Sequence, residues 1–417
     1  MTGPDVLHPP LVHVGGRNYR VQGTAASTFS HLPERGEHAA GRPAAPRHYD
    51  DDDEEDFNAA SSGGAEPSID ESLITQDQSG QFQARLSCDP EVYPMLIGKE
   101  GAKKKRLEAE TGATLIIPRK TAAGPQGGGG GGDVTIRGPS KAVVASGYLR
   151  TELAMAEAVA GRLLDYNYFL SLPLATPATV RQFEAFRKGV LGDPKVCPPG
   201  CGLEPSVFMA PQQLHLTLVM LKLYSDQKRH AAQQALDRLR PRVGALLAGQ
   251  PLKVHLQGLE YMNDDPSAMH VLYLKVADMG PGGRLEALCD MVVEEFGRAG
   301  LLLPQDDRKV KLHATIINTR YRKRGAEQQQ GGGGGGSSSQ QQRPQQGGRP
   351  SDRQPFDGRA LLEQHGRLDL GIHTLQAVHL SQRGAYGEDG YYRCVRQLPL
   401  QPLQAEAEAG AGAGADE

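Results

Sequence analysis

Two five-residue segments far apart in the chain share one pattern: Leu214-His215-Leu216-Thr217-Leu218 and Leu312-His313-Ala314-Thr315-Ile316. Apolar and polar residues alternate with period two, which fits a half-buried strand rather than a helix. In each segment the histidine and the threonine two residues later point to one side, while the leucines and Ile316 point to the other, into a core. A chain carrying both segments needs two such strands, each offering one imidazole and one hydroxyl. If the strands face a common surface, together they frame a phosphate.

Phosphodiester cleavage needs a base to take a proton from the attacking oxygen and an acid to protonate the leaving oxygen. Histidine, with an ordinary pKa near ~6.5, serves either role at neutral pH. The hydroxyls of Thr217 and Thr315 can hydrogen-bond the non-bridging oxygens as charge builds on them. No carboxylate ligand cluster is evident, and neither a metal nor a cofactor is expected. The motif has a background: with 13 histidines, about one His-x-Ser/Thr arises by chance. A third copy, His379-Leu380-Ser381, falls on an expected closing strand, either as a structural residue or as an accessory lining group. The first two stand apart by their near-identical context, each preceded by a helical stretch. The competing reading is a pair of histidines on unrelated strands.

A second motif lies upstream. Residues 81–160 read as β-α-α-β-β-α: an alternating strand with Phe82, Ala84 and Leu86, an apolar segment Val92 to Ile97, and a charged helix Ala102 to Glu110 stopped by Gly112. Strands at 113–118 and 134–136 and a helix over 140–164 complete it. Gly98-Lys99-Glu100-Gly101 joins the two short helices. In a KH domain such a Gly-x-x-Gly turn lets a nucleic-acid backbone come close, and the next helix offers free N–H groups to phosphate. Lys103 and Lys104 follow on that helix with Lys105 and Arg106. Gly98, Lys99, Glu100, Gly101, Lys103 and Lys104 are therefore the candidate RNA-binding set, with Glu100 opposing phosphate. The plainer alternative is a helix cap with a solvated basic face.

The remaining pattern places strands at 166–172, 214–223, 252–261, 270–277, 310–318, 376–382 and 391–397. Helices are expected at 180–191, 226–247, 285–296 and 358–364. Residues 1–78 are polar, Gly/Pro-rich and acidic, with Asp50 to Asp56 the densest run, and are expected to be unfolded. An island at 11–20 is either a docking peptide or a stray strand. The Gly run at 127–132, the Gln/Gly/Ser/Pro tract at 327–352 and the tail after 402 cannot pack a core. The expected division is thus 1–78 unfolded, 79–164, 165–402 and 403–417 unfolded. Five scattered cysteines suit a reducing compartment. Cys197 and Cys201 lack further ligands nearby and read as a loop rather than a zinc site. No signal pattern or membrane-length apolar run is seen, and a soluble intracellular protein is expected.

The two His-x-Thr strands, together with Gly258-Leu259-Glu260-Tyr261-Met262-Asn263-Asp264-Asp265-Pro266, Gly16-Arg17-Asn18-Tyr19-Arg20 and the acidic run ending in Asp56-Phe57, resemble proteins that pair a KH domain with an AKAP7-like two-histidine (2H) phosphoesterase domain. The Gly run, the 327–352 tract and the alanine-rich tail depart from that pattern. The resemblance implies an α/β (α+β) chain whose second domain is bilobal, each lobe giving one His-x-Thr strand to a shared groove. It implies His215 and His313 as the catalytic pair and Thr217 and Thr315 as phosphate-binding, with His379 outside the pair. It further implies single-stranded RNA or DNA as a partner, and residence in the nucleus, or also the cytoplasm, within a helicase-containing complex tied to transcription coactivation and alkylation-damage repair. An RNA phosphodiesterase is the leading expectation. A catalytically silent RNA-binding adaptor is the alternative, and a ligase running the same chemistry backward is a third.

Overall fold

The computed structural model describes residues 11–14, 17–20, 69–119, 132–303, 306, 310–322 and 353–401, the first two segments by backbone alone. The acidic run, the 327–352 tract, the tail and all of the Gly run but Gly132 lie outside the described residues. Within the 11–20 island, β1 (Leu11–Val14) and β2 (Arg17–Arg20) pair antiparallel as a sheet of their own.

The first unit contains β3 (Thr75–Gln76), β4 (Phe82–Leu86), α1 (Tyr93–Ile97), α2 (Ala102–Thr111), β5 (Thr114–Ile116), β6 (Val134–Gly138) and α3 (Lys141–Ala160). Its sheet runs β3-β4-β6-β5, with every pair antiparallel. The β-α-α-β-β-α order is as expected. Residues 69–78 are a correction, because they were expected to be unfolded. Asp70 caps a helical turn at Glu71–Leu73 by accepting from the Ser72 N–H, β3 adds to the edge of β4, and Ile74 is buried in the unit's core. The buried Ile74, with Ile69 packed against the same core, suffices to order this polar stretch once a sheet edge is present.

The core of this unit joins Leu86, Val92, Leu96, Leu107, Leu115, Ile136 and Val144. Ser140 starts α3, its hydroxyl accepting from the Val143 N–H at 3.3 Å. Gly147 lets α3 lie close on the sheet: a Cβ there would fall 2.6 Å from Ala113 Cβ and 2.9 Å from Ile136 Cγ2.

The second unit contains β7 (Tyr168–Pro173), α4 (Pro177–Gly192), β8 (His215–Leu221), α5 (Asp226–Arg238), α6 (Arg240–Leu247), β9 (Leu252–Tyr261) and β10 (Val271–Asp278). It continues with α7 (Arg284–Arg298), β11 (Ala314–Asn318), α8 (Arg359–His365), β12 (Asp369–Leu375), β13 (Ala377–Tyr386) and β14 (Tyr392–Pro399). One eight-stranded antiparallel sheet runs β12-β9-β10-β11-β8-β7-β13-β14. It divides into two four-stranded halves that meet at β11 and β8, the bilobal plan expected of it. Leu170, Leu172, Leu216, Leu256, Leu272 and Ile316 share one core with Phe183 of α4, Leu236 of α5, Val243 of α6, Val292 of α7 and Leu361 of α8. The alternate strand residues form the opposite face, where the histidines lie.

Three expectations shift. The single helix over 226–247 is two, because Pro241 lacks an N–H and its ring excludes the preceding carbonyls of a continuous helix. The strand expected over 310–318 begins at Ala314, so His313 stands at its entrance. β12 was missed: Gly371, at φ 84°, sits in a β-bulge between Asp369 and Gly371 and interrupts the strand pattern.

The two units are joined by specific contacts. Arg229 of α5 holds Asp89 with two hydrogen bonds, at 2.7 and 3.0 Å. The Asp89 N–H donates to the Tyr224 carbonyl, and the Tyr224 ring belongs to the first unit's core. Lys222 Nζ donates to the Val159 and Gly161 carbonyls at the end of α3. No described helix is long and apolar enough to cross a membrane.

Candidate active site

β8 and β11 are neighbours, and Ala314 pairs with Leu216. In that antiparallel register Thr315 falls opposite His215, and His313 falls opposite Thr217. Leu216, Ala314 and Ile316 are fully buried, so alternation turns all four polar side chains to the other face. The two motifs thus meet with approximate two-fold symmetry at the centre of the sheet.

Each imidazole is oriented by the same device. His215 Nδ1 lies 2.6 Å from the Gln213 carbonyl, and His313 Nδ1 lies 2.7 Å from the Lys311 carbonyl. A carbonyl only accepts, so both Nδ1 atoms carry a proton and both Nε2 atoms keep a free lone pair. Burial pushes the His215 pKa down to about 4, with the nearby His313 lowering it further and the Gln213 carbonyl acting against both. Burial also lowers His313, and the Lys311 ammonium adds to that. Both are neutral at pH 7.

Aromatic rings wall the pair. His215 packs on Phe169 at 5.2 Å and edge-on against Tyr392 at 5.5 Å between ring centroids. His313 packs on Tyr273 at 5.2 Å, and the Tyr273 hydroxyl donates to Glu260 at 2.9 Å. Leu170 pairs with Val219 while Ser171 pairs with Thr217, so Leu218, the last residue of the first motif, is the extra residue of a bulge. That bulge returns Met220 to the same face as Phe169, with which it packs. Sequence reasoning found none of Phe169, Tyr273, Glu260, Tyr391 or Tyr392 as site residues. For the four aromatic residues the signal was a ring on a strand, which reads equally as core, and Glu260 lies within the Gly258–Pro266 segment without being marked there as a site residue.

The third motif is not equivalent to the first two. His379 pairs with Ser171 and so shares the row of Thr217, but Ser381 is fully buried opposite Phe169. Cys197 and Cys201 are free thiols with Sγ atoms 3.7 Å apart. Among the described residues no group of three or more His, Cys, Asp and Glu is placed to hold a metal.

In the first unit, α1 ends at Gly98 (φ 72°) and the chain turns through Glu100 (φ 53°) and Gly101 (φ 79°) into α2. Gly98 is demanded twice, by its left-handed backbone and by Lys103, whose Cβ would stand 2.8 Å from an added Cβ. Lys99 and Glu100 are exposed. Lys103 pairs with Glu157 at 3.8 Å and Lys104 with Glu108 at 3.6 Å. Part of the positive charge expected here is therefore met from within the unit, which the sequence did not reveal.

Residues 166–400 match the family described as AKAP7 2′5′ RNA ligase-like domain, and residues 83–148 match the KH domain family. The chain is 29% identical over 389 residues to the mouse (Mus musculus) activating signal cointegrator 1 complex subunit 1, covering 93% of this chain and 97% of that protein. Solved structures similar to it include Escherichia coli LigT in its apo form, at 14% identity and a TM-score of 0.31, covering 57% of this chain and 98% of LigT. A Thermus thermophilus protein is similar at 17% identity and a TM-score of 0.33, over 57% of this chain and 99% of that one.

Proposed function

The chain belongs to the AKAP7 2′5′ RNA ligase-like domain family, and from that membership we propose that it is an RNA phosphodiesterase whose KH domain delivers single-stranded RNA to the His215–His313 groove. The observation that carries this reading is the mirrored pair of Nδ1–carbonyl hydrogen bonds, which leaves two Nε2 atoms unbonded to any described residue on one face beside two threonine hydroxyls. A phosphodiester between them raises both imidazole pKa values through its charge. One Nε2 then takes a proton from the attacking hydroxyl or water, and the other, protonated, gives one to the leaving oxygen. Thr217 and Thr315 donate to the non-bridging oxygens. The pair performs both proton transfers itself, so the step calls for no metal. Each histidine takes either role according to the side on which the leaving oxygen lies, and the reverse reaction would be a ligation. Gly98, Lys99, Gly101, Lys103 and Lys104 are the proposed RNA contacts of the KH turn, with Glu100 at its outer edge.

The test is incubation of the full chain, in EDTA, with labelled single-stranded RNA and with RNA ending in a 2′,3′-cyclic phosphate. Wild type is expected to turn over one of them. His215→Ala and His313→Ala are each expected to lose roughly 10²–10⁴-fold while still binding RNA. Undiminished turnover in both variants would sink the assignment.

A second reading is favoured by the near full-length similarity to a complex subunit. In it the chain is a catalytically silent RNA-binding adaptor of the activating signal cointegrator complex, in the nucleus beside its helicase. It would serve transcription coactivation and alkylation-damage repair. That reading predicts no cleavage by wild type and loss of complex assembly when residues 1–68 are removed. The deletion stops at 68 because Ile74 and β3 belong to the KH core and sheet.

A further inference from the structure

The face that carries the histidine pair extends beyond it toward β13. Thr217 pairs with Ser171, and Ser171 pairs with His379, so the three stand in one row across adjacent strands. At ~4.8 Å per strand, His379 lies about 10 Å from Thr217, where a nucleoside attached to a phosphate held at Thr217 would reach. The ring is fixed edge-on against Tyr391 at 5.8 Å, and the Tyr391 hydroxyl lies 2.9 Å from the Ser171 hydroxyl.

The protonation of His379 follows from its surroundings. Its Nδ1 is buried and has no hydrogen-bond partner among the described residues. An orphaned buried N–H is rarer and costlier than an unmatched lone pair, so the proton sits on Nε2. This is the opposite tautomer to that of His215 and His313. Burial lowers the pKa of the ring, which makes Nε2–H a neutral donor. Such a group suits a base or ribose acceptor better than it suits a second phosphate.

We propose that His379 is a specificity residue: its Nε2–H donates to an acceptor atom of the nucleoside attached to the phosphate between His215 and His313. It thereby selects nucleotides over bare phosphate. The proposal rests on the reading of the groove as a nucleotide phosphate site.

The test is calorimetric titration of the full chain with uridine 2′-monophosphate and, separately, with inorganic phosphate. Wild type, His379→Ala, His379→Phe and His379→Gln are compared. Phenylalanine keeps a ring against Tyr391 and removes the donor, whereas glutamine keeps a donor. The ratio of nucleotide to phosphate affinity is expected to fall roughly three- to tenfold in the alanine and phenylalanine variants, the effect of losing one neutral hydrogen bond. It is expected to recover in the glutamine variant. An unchanged ratio overturns the proposal, as does an equal loss of both ligands, which would mark a purely structural side chain. Because the readout is binding, a wild type that binds but never cleaves defeats the enzymatic reading alone.

Discussion

His215 and His313 show how little of a histidine's protonation state lies in its side chain alone. Their sequence neighbourhoods predict the face they occupy, but the tautomer comes from backbone carbonyls two residues upstream. Their neutrality comes from burial among Phe169, Tyr392 and Tyr273. The depressed pKa of His215 has a consequence for stability. Between about pH 4 and the ordinary value near 6.5, the unfolded chain holds a proton there and the folded chain does not. Stability therefore rises with pH across that window and is lost as pH falls through it. The melting temperature of wild type is expected to drop between pH 6.5 and 4, and more gently in His215→Ala. Parallel curves for the two proteins would contradict a buried neutral imidazole at this position.

At the scale of elements, most strands and helices are legible, because each has a local period that burial enforces. The failures have local causes. Pro241 splits one helix into α5 and α6, and the bulge at Gly371 hides β12. On β7 both faces are covered, so Phe169 reads as core just as Leu170 and Leu172 do. Gly147 on α3 tests the packing of the KH unit. Alanine favours a helix there by ~1 kcal/mol, but its Cβ meets Ala113 and Ile136 below contact distance. Gly147→Ala is expected to lower stability by about 1–3 kcal/mol in denaturant titration. A gain in stability instead would mean that α3 can lift from the sheet without cost.

For the whole molecule, the decisive feature is that the KH unit is bonded to the phosphoesterase unit through Asp89 and Arg229 rather than strung beside it. Both side chains are partly shielded from water, and the guanidinium meets the carboxylate with two hydrogen bonds, the arrangement in which an ion pair contributes measurably. A double-mutant cycle with Asp89→Ala and Arg229→Ala, read by thermal unfolding, is expected to give a coupling of roughly 1–3 kcal/mol. A coupling near zero would mean that the Tyr224 and Lys222 contacts alone hold the units together. By itself the sequence determined which residues alternate, where the Gly98–Gly101 turn falls, and that two His-x-Thr strands exist, since these depend on local periodicity and glycine stereochemistry. Only the tertiary structure decided that β8 lies beside β11 with Leu216 opposite Ala314, and that His379 shares the row of Thr217. A period of two assigns faces without naming a neighbour. The neighbour and its register are chosen by the burial of side chains from distant parts of the chain.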